Sequence, residues 1–150
     1  MKKKLSYRDK LLELAYIYNV KEIQDYTNEE SLWKVTQGIN NCGGNLALHL
    51  IGNLNHFIGA ILGDTGYIRD RDAEFSKKDV PQATLIKQIE ETIKMVDEVL
   101  SHLPEDQLDK TYPIEVLKRP MTTGEFILFL YGHLSYHLGQ INYHRRILNN

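Results

Sequence analysis

Four stretches of the chain repeat apolar residues at helical spacing, and the segments between them carry capping and turn residues. The first predicted helix opens at Ser6, spreads Leu11, Leu12, Leu14, Ala15, Ile17, Tyr18 and Ile23 over its apolar side, and ends near Tyr26. Thr27-Asn28-Glu29-Glu30 is a capping signature that predicts a short helix through Leu32 and Trp33, closed by the polar stretch from Thr36 to Gly44. The second helix, about Asn45 to Leu62, is apolar on nearly every side except at its Asn and His positions, so neighbours or a second subunit must cover most of its circumference. The third follows Asp79-Val80-Pro81-Gln82 and places Ile86, Ile89, Ile93, Val96, Leu100 and Leu103 on one seam. The fourth begins at Thr122-Thr123-Gly124-Glu125, where Thr122 and Glu125 form a capping box and Met121 is set to staple onto Phe126, and it runs to about Leu148.

Four long helices with no strand pattern predict an all-α, antiparallel four-helix bundle forming a single domain over residues 1–150. The eighteen residues from Gly63 to Val80 reach roughly 60 Å at ~3.3 Å each, enough to return along a helix and leave the second and third helices parallel. Between Pro104 and Met121, the run Ile114-Glu115-Val116-Leu117 predicts a loop or small hairpin.

Composition narrows the function classes. Eighteen Lys and Arg against twenty Asp and Glu give a formal net charge of -2, which argues against a nucleic-acid partner. The start of the chain lacks the apolar stretch of a secretory signal, which predicts a cytoplasmic protein. The apolar run from Leu46 to Leu62 is interrupted by His49, Asn53, Asn55 and His56, which predicts a buried helix and no membrane partner. One cysteine, Cys42, leaves metal chemistry to histidine and carboxylate.

The histidines supply that chemistry. Phe126, Leu130, His133, His137, Ile141, His144 and Leu148 fall on one stripe of the fourth helix, with His133 and His137 an i, i+4 pair able to converge on one ion. His49, mid-sequence in the second helix, is the natural third ligand, because metal sites in bundles are built from facing helices. Three imidazoles leave coordination positions open for water or substrate. The competing reading makes these histidines hydrogen-bonded core residues. His56 and His144, each seven residues from a proposed ligand and so about 10 Å along the axis, are too far to join the same ion. His102 reads as structural at a helix C-terminus.

Leu48-His49-Leu50-Ile51-Gly52-Asn53, Arg69-Asp70-Arg71-Asp72-Ala73-Glu74-Phe75 and His133-Leu134-Ser135-Tyr136-His137-Leu138-Gly139-Gln140-Ile141 together resemble the DinB-like superfamily, in the right order and over most of the chain. The resemblance implies an up-down-down-up bundle with a long crossover between helices 2 and 3, usually a homodimer. It also implies a divalent metal, Zn²⁺ or Ni²⁺, on His49, His133 and His137. The reaction class it suggests is transfer of a low-molecular-weight thiol to a small-molecule electrophile. The alternatives are a metal-dependent hydrolase and a non-catalytic dimeric helical module.

Around the triad, Asn53 is one turn after His49 and within reach of a metal-bound water or a ligating imidazole, or else of a buried polar network. Gln140 is placed to orient a metal ligand, and Glu74 is the best general-base carboxylate if its loop folds over the site. Arg69 and Arg71 either grip an anionic substrate or pin the loop by ion pairs. Tyr136 is expected to pack and Cys42 to be a bystander. Gly52 and Gly59, and Gly132 and Gly139, are spaced by seven and predict close helix approach, within the subunit or across a dimer.

Overall fold

The computed structural model describes residues 2–13 and 19–149. Its helices are α1 (Lys2–Glu13), α2 (Lys21–Gln24), α3 (Gly43–Gly63), α4 (Arg71–Ser76), α5 (Gln82–His102) and α6 (Thr123–Leu148), with 3-10 turns at Glu29–Trp33 and Glu105–Asp109. Among the described residues there is no strand. Of the expected loop or small hairpin the loop is found: residues 114–117 form no strand, and the segment is closed by an isolated bridge between Thr111 and Thr122.

The first helix starts at Lys2, upstream of Ser6, through lysines whose straight side chains favour helix. Of its predicted apolar face, Leu11 and Ile23 are fully buried, while Leu14, Ala15, Ile17 and Tyr18 lie outside the described residues. Asn28 caps the following turn by accepting from the Glu30 amide at 2.9 Å. At α6 the capping box is present in both directions, with Glu125 N to Thr122 Oγ1 at 3.1 Å and Thr122 N to Glu125 Oε2 at 2.7 Å.

Helix α3 is the centre of the molecule. It is long and apolar enough to cross a membrane by length and composition, yet it packs against α4, α5 and α6, and its polar residues Asn45, His49 and Asn53 are buried. From Asn55 to Ala60 it widens to a π-helix, at the point where the Asn55 side-chain amide donates to the Ile51 carbonyl and to Thr92 Oγ1, both at 2.9 Å.

Contacts fix the directions. Asn55 meets Thr92, Gly59 lies against Met95 and Gly63 against Val99, so α3 and α5 run the same way, as the long connection between them allows. Gly43 lies beside His144 while Phe57 meets Phe126 edge to face, so α3 and α6 run oppositely. On α5 the buried line is Leu85, Ile89, Thr92, Val96, Leu100 and Leu103, rotated slightly from the expected seam. Ile86 and Ile93 are only partly covered. Thr92 is tolerated in the core because its hydroxyl donates to the Gln88 carbonyl at 2.8 Å and accepts from Asn55.

The same rotation shapes α6. Its core line runs through Phe126, Ile127, Leu130, Leu134, Leu138 and Ile141, which moves His133 and His137 from the expected centre of the stripe to its half-buried edge. Gly52 and Gly59 do face neighbouring groups, whereas Gly132 and Gly139 are exposed and make no close helix approach within the subunit.

Candidate metal centre

His49 on α3 and His133 and His137 on α6 turn their Nε2 atoms to one point. His49 Nε2 is 3.2 Å from His133 Nε2, which is 3.1 Å from His137 Nε2. Nitrogens at 2.0–2.1 Å from one tetrahedral ion stand about 3.3 Å apart, which these two spacings match, and the three donor atoms all lie within 4.8 Å of one another. Their other nitrogens decide the protonation. His49 Nδ1 lies 2.9 Å from Glu74 Oε1 and His137 Nδ1 lies 2.7 Å from Gln140 Oε1, and each oxygen can only accept. The ring protons are therefore on Nδ1, and the Nε2 lone pairs of His49 and His137 point inward at a third imidazole nitrogen. A cation resolves that convergence of lone pairs, which hydrogen bonding among neutral rings satisfies only in part.

Burial keeps the rings neutral. It is the main cause that lowers His49, His133 and His137 from the ordinary histidine range. The Glu74 hydrogen bond opposes it at His49, and Gln140 opposes it at His137. At His133 the neighbouring imidazoles His137 and His49 add to burial and take the value down to about 4. In the metal-free protein the unfolded chain thus gains a proton at this position near pH 6.5, and the folded chain gains it only near pH 4. Stability from this group is full above about pH 6.5 and declines as pH falls toward 4, by an amount that solvent screening of the half-buried ring holds below the full shift. Urea unfolding in a chelator at pH 7.5 and pH 5 should show the lower midpoint at pH 5, and the difference should shrink in His133→Ala.

The crossover completes the centre. Asp70 caps α4 by accepting from the Ala73 amide at 3.0 Å, and Asn45 on α3 ties α4 down by donating to the carbonyls of Glu74 at 2.9 Å and Lys77 at 2.8 Å. Glu74 is thereby buried against α3, where a side chain at Gly52 would collide with its carboxylate. Both carboxylate oxygens are engaged: Arg69 Nε donates to Oε2 and Arg69 Nη2 to Oε1, each at 2.8 Å, and Oε1 also takes the His49 proton. The loop does fold over the site, as a general base would require, but it delivers Glu74 as an ion-paired anchor for His49. Arg69 is accordingly committed to Glu74. Arg71 is exposed and stacks on Phe75 at 5.6 Å, and Phe75 in turn lies 5.0 Å from the His49 ring.

Other expected positions separate clearly. Tyr136, expected to pack, is 64% exposed, because its side of α6 faces outward; its ring edges His137 and its hydroxyl accepts from Gln140 Nε2 at 3.4 Å. Asn53 is buried beside the site with Oδ1 unpartnered. His56 sits half-buried against Phe57. His144 is held at the opposite end between the Tyr26 hydroxyl at 2.6 Å and the Lys34 carbonyl at 2.8 Å, so these two histidines diverge from the triad. His102 bonds the Glu98 carbonyl at the end of α5. Cys42 is buried and bonds Asn45 Oδ1. Sequence reasoning missed the Asn45 tether and the Phe75 wall, whose only signal was their position one turn before His49 and just after Glu74.

A family model described as Protein of unknown function (DUF1572) matches residues 6–150. No curated protein matches the chain. Among solved structures, the chain is similar to the crystal structure of a DinB-like protein, YjoA from Bacillus subtilis, with a TM-score of 0.69 and 14% sequence identity, covering 97% of this chain and 92% of that one. The likeness is one of fold, all-helical and DinB-like.

Proposed function

The chain belongs to the DUF1572 family, and from that premise we propose that it is a DinB-like metal-binding protein in which His49, His133 and His137 hold one divalent ion with a coordination position left open. The observation that carries this reading is the meeting of three imidazole Nε2 atoms whose neighbours already take the opposite ring protons of His49 and His137. The all-nitrogen donor set suits Zn²⁺ or Ni²⁺. The helix directions support an up-down-down-up bundle, with the crossover serving as the arm that brings Glu74 to His49.

An ion held by His49, His133 and His137 would supply Lewis acidity that lowers the pKa of a thiol or water. This chain's own part is orientation. Glu74 and Gln140 hold the Nδ1 protons of His49 and His137, which fixes the tautomer and aim of both rings, while burial keeps them neutral. Arg69 balances the Glu74 charge. We assign the reaction to transfer of a small thiol to an electrophile, in which the thiol loses its proton to solvent, sulfur bonds to carbon, and the leaving group departs with the bonding pair of the broken carbon–leaving-group bond. This assignment rests on the resemblance to the DinB-like superfamily.

Conjugation of 2-mercaptoethanol to 1-chloro-2,4-dinitrobenzene, and cleavage of p-nitrophenyl acetate without thiol, test it on the Zn²⁺- or Ni²⁺-loaded protein. We expect metal-dependent conjugation that a chelator removes and metal restores. Ester cleavage alone would make the protein a hydrolase, and full metal binding with neither activity over a panel of thiols and electrophiles would leave a non-catalytic module.

A further inference from the structure

Two of the three metal-facing imidazoles have an acceptor for the ring nitrogen turned away from the ion: Glu74 for His49 and Gln140 for His137. His133 has none. Its Nδ1 is buried without a partner, and so is Oδ1 of Asn53. With Nε2 committed to the ion, His133 Nδ1 carries a hydrogen and is a donor, while an amide oxygen is an acceptor, so the two orphans are complementary. Burying either alone is costly and uncommon.

The helix register sets them on the same side of the site. Antiparallel α3 and α6 place Gly43 beside His144 and Phe57 against Phe126, with the His49 ring about equally far from those of His133 (5.1 Å) and His137 (4.9 Å). One turn beyond His49 toward Phe57, Asn53 therefore stands on the His133 side of the triad and away from His137. The remaining orphan, Oδ1 of Asn19, lies elsewhere. Glu22, three residues after Asn19, meets Asn142 and Arg145, and Asn142 lies on the side of α6 turned away from His133.

We propose that Asn53 is the positioning residue for His133, accepting the Nδ1 proton of that ring through Oδ1 when the ion fixes it, so that each ligand has its own partner from a different place in the chain: α4, α3 and α6. The inference rests on the metal reading above and concerns the tautomer and aim of one ligand. It also accounts for a buried asparagine one turn after a ligand, where an apolar residue would pack without leaving an unpaired group.

The test is zinc titration of the full chain, by competition with a chromophoric chelator, for wild type, Asn53→Leu and Asn53→Asp. It is joined to ¹⁵N–¹H spectra of the imidazoles in the zinc-loaded protein. Wild type should show His133 protonated at Nδ1, with that proton protected from exchange and giving a nuclear Overhauser effect to the Asn53 side-chain amide. Asn53→Leu should weaken zinc binding about 10- to 100-fold, while Asn53→Asp, which retains an acceptor, should stay within a few-fold of wild type. Zinc binding by wild type with no protected His133 proton near Asn53 overturns the assignment without recourse to a variant. A folded Asn53→Leu with wild-type affinity overturns it as well, and in both cases the metal reading stands. Failure of wild type to bind zinc removes both.

Discussion

Replacing His133 and His137 together by alanine is expected to abolish stoichiometric metal binding while leaving the fold intact. Two of the three converging nitrogens are lost, and a lone His49 offers one imidazole with no partner ligand. The helix does not depend on either ring, since both lie at the half-buried edge of α6 and the core line passes through Leu134 and Leu138. Zinc at 1,000 times its dissociation constant should stabilise wild type by about 4 kcal/mol, a rise of roughly 10 °C in Tm for a domain of this size. The double variant should show no zinc-dependent rise. Thermal denaturation monitored by circular dichroism, with and without zinc, reads both quantities. A variant that still gains stability from stoichiometric zinc would place the metal elsewhere.

The second large effect is expected at Glu74. Removing its carboxylate in Glu74→Ala leaves the Arg69 guanidinium, whose side chain is only 13% exposed, without its partner, and frees the Nδ1 proton of His49. Breaking a buried pair from one side costs about 3–5 kcal/mol, and loss of a partner behind a metal ligand costs about 10- to 100-fold in metal affinity. Glu74→Gln retains an oxygen for the His49 proton and should lose less of the metal affinity than Glu74→Ala, while still unbalancing Arg69. Urea unfolding in a chelator separates the stability effect from zinc affinity measured by competition. If Glu74→Ala lowered stability but left zinc affinity unchanged, the carboxylate would only pin the crossover and would have no hold on His49.

Much of this arrangement was legible in the sequence because it depends on local rules. The i, i+4 spacing of His133 and His137 places two imidazoles on one face of a helix whatever surrounds it, and the Thr122–Glu125 capping box forms as its residue types dictate. The length of the 63–80 connection was enough to allow α3 and α5 to run in parallel. The rotational setting of the helices was harder to read. On α5, two helical lines share four positions, and the line through Leu85 and Thr92 includes a hydroxyl that accepts from Asn55, a residue 37 positions away from Thr92. On α6 the core chose Leu134 and Leu138 over the histidine stripe, which put His133 and His137 at a half-buried edge.

The crossover was the least legible element. Its alternating charges were compatible with gripping an anion or with internal ion pairing. The outcome depends on Asn45 and Gly52, one supplying the tether and the other the vacant space for Glu74. Neither residue advertises that role by type alone. Cys42 shows the same dependence: it sits before a helix N-terminus, yet it is sealed from solvent by the Asn45 contact and the core.

The most direct test of the central claim is the metal-to-chain ratio of the wild-type protein after zinc loading and exhaustive dialysis, read together with the zinc coordination from X-ray absorption. The account predicts one zinc per chain, bound by three imidazole nitrogens at about 2.0–2.1 Å with a light-atom ligand completing the sphere. No retained zinc, or a stoichiometric zinc coordinated by sulfur or carboxylates alone, would contradict it.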